Sequence, residues 1–173
     1  MMTLSNIDIS GRTAITVCFD IAEGDDGSSQ DWDATDQVFI ESSVDGGAIF
    51  TEITRIEAAG GTNTEPSFDC DGDGLGEGEP ITSTFTTYCF PLDVTGTSLD
   101  FRIRIVNLNA LDEDIAFDNI RLFGDGATLP APNPCQDCPV MPATSMVTFD
   151  GCSGDDFEAV SYTHLTLPTI YSV

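Results

Sequence analysis

Positive charge is almost missing from this chain. Its 173 residues hold 30 Asp and Glu against five cationic side chains, all arginine, for a formal net charge of −25. A surface so acidic repels phosphate backbones and anionic lipid headgroups, so nucleic acid and membrane surfaces are excluded as partners. Histidine is as scarce: the single one is His164. The body of the chain therefore has no histidine base, and it shows no nucleophile elbow. Carboxylate pairs of the kind glycosidases use abound, but nothing in their spacing singles out a dyad. The chain is read as noncatalytic. No apolar run approaches the ~20 residues that span a bilayer, so no membrane insertion is expected. Met1 to Ser10 has neither the basic stretch nor the apolar stretch of a signal peptide, and the expectation is a piece of a longer secreted protein. No segment repeats its apolar residues with a 3.6-residue period, so helices are not expected.

What is present is β-strand. Residues 14–21 are β-rich and nearly alternating. Residues 38–44 run into Asp45-Gly46-Gly47, and residues 48–53 lead away, which is the signature of a hairpin. Ser43 to Phe50 also matches the Asp-box of propeller proteins, with Phe for Trp, but one copy makes a turn and not a propeller. Residues 82–91 form another strand. In Leu99 to Ile105, Phe101, Ile103 and Ile105 share one face and Arg102 and Arg104 the other, where they are expected to pair with acids. Residues 115–123 close the set. Strands separated by turns, without helices, predict an all-β sandwich or barrel. Two acidic loops interrupt them, Glu23 to Asp36 and Glu65 to Pro80.

The organisation follows from composition. Residues 1–124 form the β module. Residues 125–145 are rich in proline and small residues and read as a linker. Residues 146–159 resemble the start of a second, truncated module. Residues 160–173 carry no acid at all; they resemble a translated sequencing adaptor and are read as a non-native tail. The six cysteines fit disulfides in an oxidising compartment. The alternative is a zinc site at Cys135-Gln136-Asp137-Cys138, which lacks a second pair or nearby histidines. Cys89 has two candidate partners, Cys70 across the second loop and Cys18 on a neighbouring strand, while Cys135, Cys138 and Cys152 belong to the linker and the second module.

The sharpest motif is Asp69-Cys70-Asp71-Gly72-Asp73-Gly74. Carboxylates at alternate positions converge inside a tight loop, as in the first half of an EF-hand loop, with acids at positions 1, 3 and 5 and glycine at 6. Position 12 is Pro80 and not glutamate, with Glu77 and Glu79 close by. These five acids are candidate Ca2+ ligands. In the first loop, Trp32 stands among acids. A flat indole stacks on sugars and carboxylates accept hydroxyl hydrogen bonds, so Trp32, Asp33 and Asp36 are candidate glycan-binding residues. The competing role for Trp32 is to fold back and cap the core.

Three segments, in their order along the chain, point to a family. The closing strand Ile115-Ala116-Phe117-Asp118-Asn119-Ile120-Arg121-Leu122, the opening strand Val17-Cys18-Phe19-Asp20-Ile21 and the middle hairpin after Asp36 resemble those of MAM-like and carbohydrate-binding-module-like jelly rolls of bacterial secreted proteins. The resemblance spans about residues 5–124. It implies a jelly-roll β-sandwich of two antiparallel sheets and a structural calcium. By the same resemblance Asp118 would be a ligand together with Asp20 or Glu23; its place in an apolar strand fits that role, the alternative being a solvent-facing side chain. The function expected is a noncatalytic, calcium-binding extracellular or cell-surface module that binds carbohydrate or a surface protein. The alternatives are a structural spacer in a tandem array and an accessory domain of a secreted hydrolase.

Overall fold

The computed structural model describes residues 1–24, 32–44, 46–61, 63–110, 113–125, 127, 129–131 and 133–135. Expectations that fall on 146–159, 160–173, Cys138 and Cys152 lie outside the described residues.

The described residues contain no helix. Eight strands occur in chain order: β1 (Met2–Asp8), β2 (Thr16–Ala22), β3 (Gln37–Val44), β4 (Thr51–Ala58), β5 (Pro66–Asp69), β6 (Thr86–Pro91), β7 (Ser98–Val106) and β8 (Ala116–Phe123). They form two antiparallel sheets, one of five strands in the order β1-β7-β3-β4-β5 and one of three in the order β6-β2-β8. The all-β reading and the two-sheet architecture are thus shown.

Alternation explains the packing. Val38 and Ile40 of β3, Ile56 of β4, Phe68 of β5 and Leu99, Phe101 and Ile103 of β7 point inward from the larger sheet. Val17, Phe19, Ile21 and Phe90 meet them from the smaller one. Phe68 bridges the sheets, with its ring centroid 4.8 Å from Tyr88 and 5.2 Å from Phe90 of β6. Burying each such aromatic stabilises the fold by roughly 1.5–3 kcal/mol. The outward face of β7 behaves as its alternation requires: Arg102 and Arg104 both hydrogen-bond the Glu41 carboxylate on β3.

Two strands escape the sequence pattern. β1 is exposed along most of its length and pairs only with β7, so it carries little apolar signal. β5 lies inside what reads as an acidic loop. Its four residues are all buried, but Pro66 and Asp69 disguise them. β4 begins at Thr51, later than the hairpin pattern suggests, and Ile49 is left exposed in the turn; Asp45 lies outside the described residues.

The pairing of strands decides between the two candidate partners of Cys89. Cys18 of β2 stands directly opposite Cys89 of β6, and the two are joined. Cys70 instead bonds Cys135, a residue assigned to the linker. This corrects the expectation of a Cys70–Cys89 staple as the alternative. It also corrects the zinc reading of Cys135, whose sulfur is taken. The compact unit accordingly runs from Met1 to Cys135, past the 1–124 boundary. Two disulfides point to a compartment outside the cytosol. No helix of the described residues is long and apolar enough to cross a membrane.

Candidate metal centre

Asp69 is the last residue of β5. Directly after it the chain leaves the sheet edge, folds back and lies along the same strand. The return is pinned by backbone hydrogen bonds from Gly76 to the Ala58 carbonyl, Glu77 to the Phe68 carbonyl and Ile81 to the Pro66 carbonyl. Gly76 has no room for a side chain, since a Cβ there would lie 2.6 Å from the Glu57 carbonyl oxygen. At Gly72 and Gly74 the backbone takes φ of +81° and +93°, the left-handed region that glycine enters without cost. The Cys70–Cys135 disulfide anchors the start of the turn.

This backbone gathers four carboxylates. One oxygen from each of Asp69, Asp71, Asp73 and Glu77 lies within 4.8 Å of the others. Asp69 is buried and the other three are exposed, so the group has a floor and an open mouth. The floor is held in place: the amides of Gly72 and Gly74 donate to the two oxygens of Asp69 at 2.6 and 3.0 Å. The amides of Asp73 and Leu75 donate to Asp71 and Asp73, and that of Cys70 to Glu77. Each carboxylate is oriented by the loop's own backbone, with lone pairs to spare.

Like charges meet in this group. The Cys70 amide holds the Glu77 carboxyl down, but burial and the charges of Asp71, Asp69 and Asp73 together push it up. The nearest positive group is Arg55, whose Nε lies 3.8 Å from Asp69 but 2.7 Å from Glu52. Arg55 also bonds the buried Glu57. Among the described residues no ion pair reaches Asp71, Asp73 or Glu77. An all-oxygen, acid-rich donor set with one buried member fits a hard divalent cation such as Ca2+. Ligand positions 1, 3, 5 and 9 of the EF-hand pattern are filled, the last by Glu77. Glu79 is not brought into the group.

The ligand set implied by the family resemblance is not assembled. Asp20 of β2 and Asp118 of β8 are register partners, yet their carboxylates serve different ends. Asp20 accepts hydrogen bonds from Thr87, Asn119 and Arg121 at 2.5, 3.0 and 3.2 Å. The Thr87 hydroxyl first, then Asn119 and the Arg121 charge, hold its carboxyl below the usual range. Asp118 is exposed and accepts the amide of Asn119. The reason is a bulge: β8 has an extra residue opposite β2 here, and Asn119 takes φ +52°. Alternation is broken at that point, and Asp118 turns to solvent. Glu23 is buried just past β2, outside the gathered group.

The glycan-binding set is corrected as well. Trp32 is 1% exposed and belongs to the core. It forms a β-bridge with Thr64 and caps the sandwich. A buried indole has no face on which a sugar can stack. Asp33 and Asp36 form a tight turn beside it, with the Asp36 amide donating to the Asp33 carbonyl and the Asp33 amide to the Asp36 carboxylate.

Glu57 and Glu113 are placed by the structure without a motif in the sequence. The first underlies the acidic loop, and a Cβ on Gly74 would sit 3.6 Å from its Oε2. Its signal was the Arg55/Glu57 alternation in β4. The second sits in an acidic run, 112–114, that offers no motif.

The chain matches no family model, no curated protein and no solved structure. The resemblance to MAM-like and carbohydrate-binding jelly rolls therefore rests on the two strand motifs and the middle hairpin alone.

Proposed function

We propose that this chain is a noncatalytic, jelly-roll-type module of a secreted or cell-surface protein, made rigid by Ca2+ bound through Asp69, Asp71, Asp73 and Glu77. The observation that carries this reading is the convergence of those four carboxylates around a buried Asp69 already oriented by two backbone amides. Bound calcium would tie the long loop after β5 to the sheet edge, where the loop closes the flank of the sandwich. Two disulfides support an oxidising, extracellular setting.

The burial of Trp32 removes the one aromatic platform on which glycan recognition was based. The calcium is therefore assigned a structural role, and the module that of a spacer in a larger protein. The test is Ca2+ titration calorimetry on the full chain and on a variant carrying Asp71→Asn and Asp73→Asn. The variant is expected to bind one ion fewer, and Ca2+ to slow amide exchange at Gly72 and Gly74 in the parent only. Equal binding by both proteins would refute the assignment.

A further inference from the structure

The end of the sandwich near Asp36 holds a second acidic meeting point, independent of the loop after β5. Gln37 at the start of β3 is the register partner of Val106 at the end of β7. The turn that precedes β3 and the loop after β7 therefore lie side by side. They are cross-linked by the Asn107 side-chain amide, which donates to the Thr35 carbonyl at 2.8 Å.

Asp36 is 1% exposed. Its Oδ2 accepts the Asp33 amide at 2.5 Å, while its Oδ1 is buried with no hydrogen-bond donor. The carboxyl of Glu113, on the other loop, lies against that of Asp36. Glu113 is itself aimed by its own loop, through hydrogen bonds from the amides of Asn109 and Ala110. Burial pushes the Asp36 carboxyl up, against the Asp33 amide, and the Glu113 and Asp33 charges push it further. No arginine pairs with either acid among the described ion pairs. Two carboxylates in contact, one buried with an unpaired oxygen, need either a shared proton or a bridging cation.

We propose that Asp36 and Glu113 bridge a second divalent cation, Ca2+, that clasps the turn before β3 to the loop after β7. Asp36 Oδ1 is the inner ligand, Glu113 the outer one, and backbone carbonyls and water complete the oxygen shell. In a chain with a formal charge of −25, a cation neutralises this pair without a further arginine.

Asp36→Asn and Glu113→Gln distinguish the two possibilities, because an amide mimics a protonated acid but is a poor cation ligand. Each variant is first checked for folding by near-ultraviolet circular dichroism in EDTA. In Ca2+ calorimetry each is expected to bind one ion fewer than the parent while retaining the ion lost in the Asp71→Asn/Asp73→Asn protein. Combining the two sets should remove two ions. Tb3+ emission excited through Trp32, the only tryptophan, gives a second readout: it should fall in the Asp36→Asn and Glu113→Gln proteins. If both variants bind as many ions as the parent and melt at the same or a higher temperature with Ca2+ present, the pair shares a proton and the second site is refuted. That result would leave the first site standing. If Asp36→Asn fails to fold, Glu113→Gln decides alone.

Discussion

Glu41 and Asp69 are both buried carboxylates of the five-stranded sheet, but their surroundings differ. Glu41, in the middle of β3, faces Arg102 and Arg104 across the β7 register, and both guanidinium groups bond it. These arginines are also stacked, Arg102 over Phe50 at 3.7 Å and Arg104 over Phe39 at 4.0 Å. Asp69, at the end of β5, has a fraction of one guanidinium and three further carboxylates. With five cations for thirty acids, four of the arginines serve acids in the strands, and Arg12 pairs with Asp125 outside them. The acids gathered in the loop could hold a metal ion instead. The difference teaches that buried acid in the strands is neutralised from within the chain, whereas the acids of the loop are arranged to take a cation from solution, as the proposed function requires.

The comparison breaks most visibly at Glu41. Glu41→Gln leaves two arginines without their anion on the sheet, and the expected loss is about 3 kcal/mol in urea unfolding. The loss should be the same in Ca2+ and in EDTA. A loss that appeared only with Ca2+ would couple the two regions and contradict their independence.

A smaller effect is expected in the loop. Asp73→Asn should remove the share of the stabilisation by Ca2+ that comes from this loop, which for one site at 100 times its Kd amounts to about 2.7 kcal/mol. In EDTA the same variant should melt at or slightly above the parent, because one like charge is gone. A variant less stable than the parent in EDTA would show that Asp73 serves the fold without an ion.

The smallest effect is in pH dependence, and the two regions should differ in sign. Burial pushes the Glu41 carboxyl up, but its bonds to Arg102 and Arg104 hold it below the usual value. Its contribution is therefore present above the ordinary glutamate value and lost as the pH falls through the lower folded one. For Glu77 the folded value is raised despite the Cys70 amide. Its contribution is present below the ordinary value and lost as the pH rises through the raised one. In EDTA, Glu77→Gln should flatten the stability curve on its less acidic side and Glu41→Gln on its more acidic side. Curves altered on the same side would undo the distinction.

The strands that alternate and the loop that repeats its acids were legible in the sequence. Phe101, Ile103, Arg102 and Arg104 show their faces by position alone, and Asp69, Asp71 and Asp73 show their spacing. What stayed hidden depends on contacts distant in the chain. Asp118 looks like an inward ligand until a bulge at Asn119 turns it out. For Trp32 the sequence leaves a sugar platform and a core cap both open, because the core it caps comes from other strands. The Cys70–Cys135 bond spans 65 residues, and no local pattern announces it. Asp36 and Glu113 meet only because β3 and β7 are neighbours.

The central claim is that the acids of the loop after β5 are completed by calcium. The most direct measurement is the melting temperature of the full chain as CaCl2 is added, against NaCl at equal ionic strength, since screening alone stabilises so acidic a protein. The account predicts a saturable rise with Ca2+ beyond the NaCl curve, lost in part in the Asp71→Asn/Asp73→Asn protein. Superimposed curves for the two salts would contradict it.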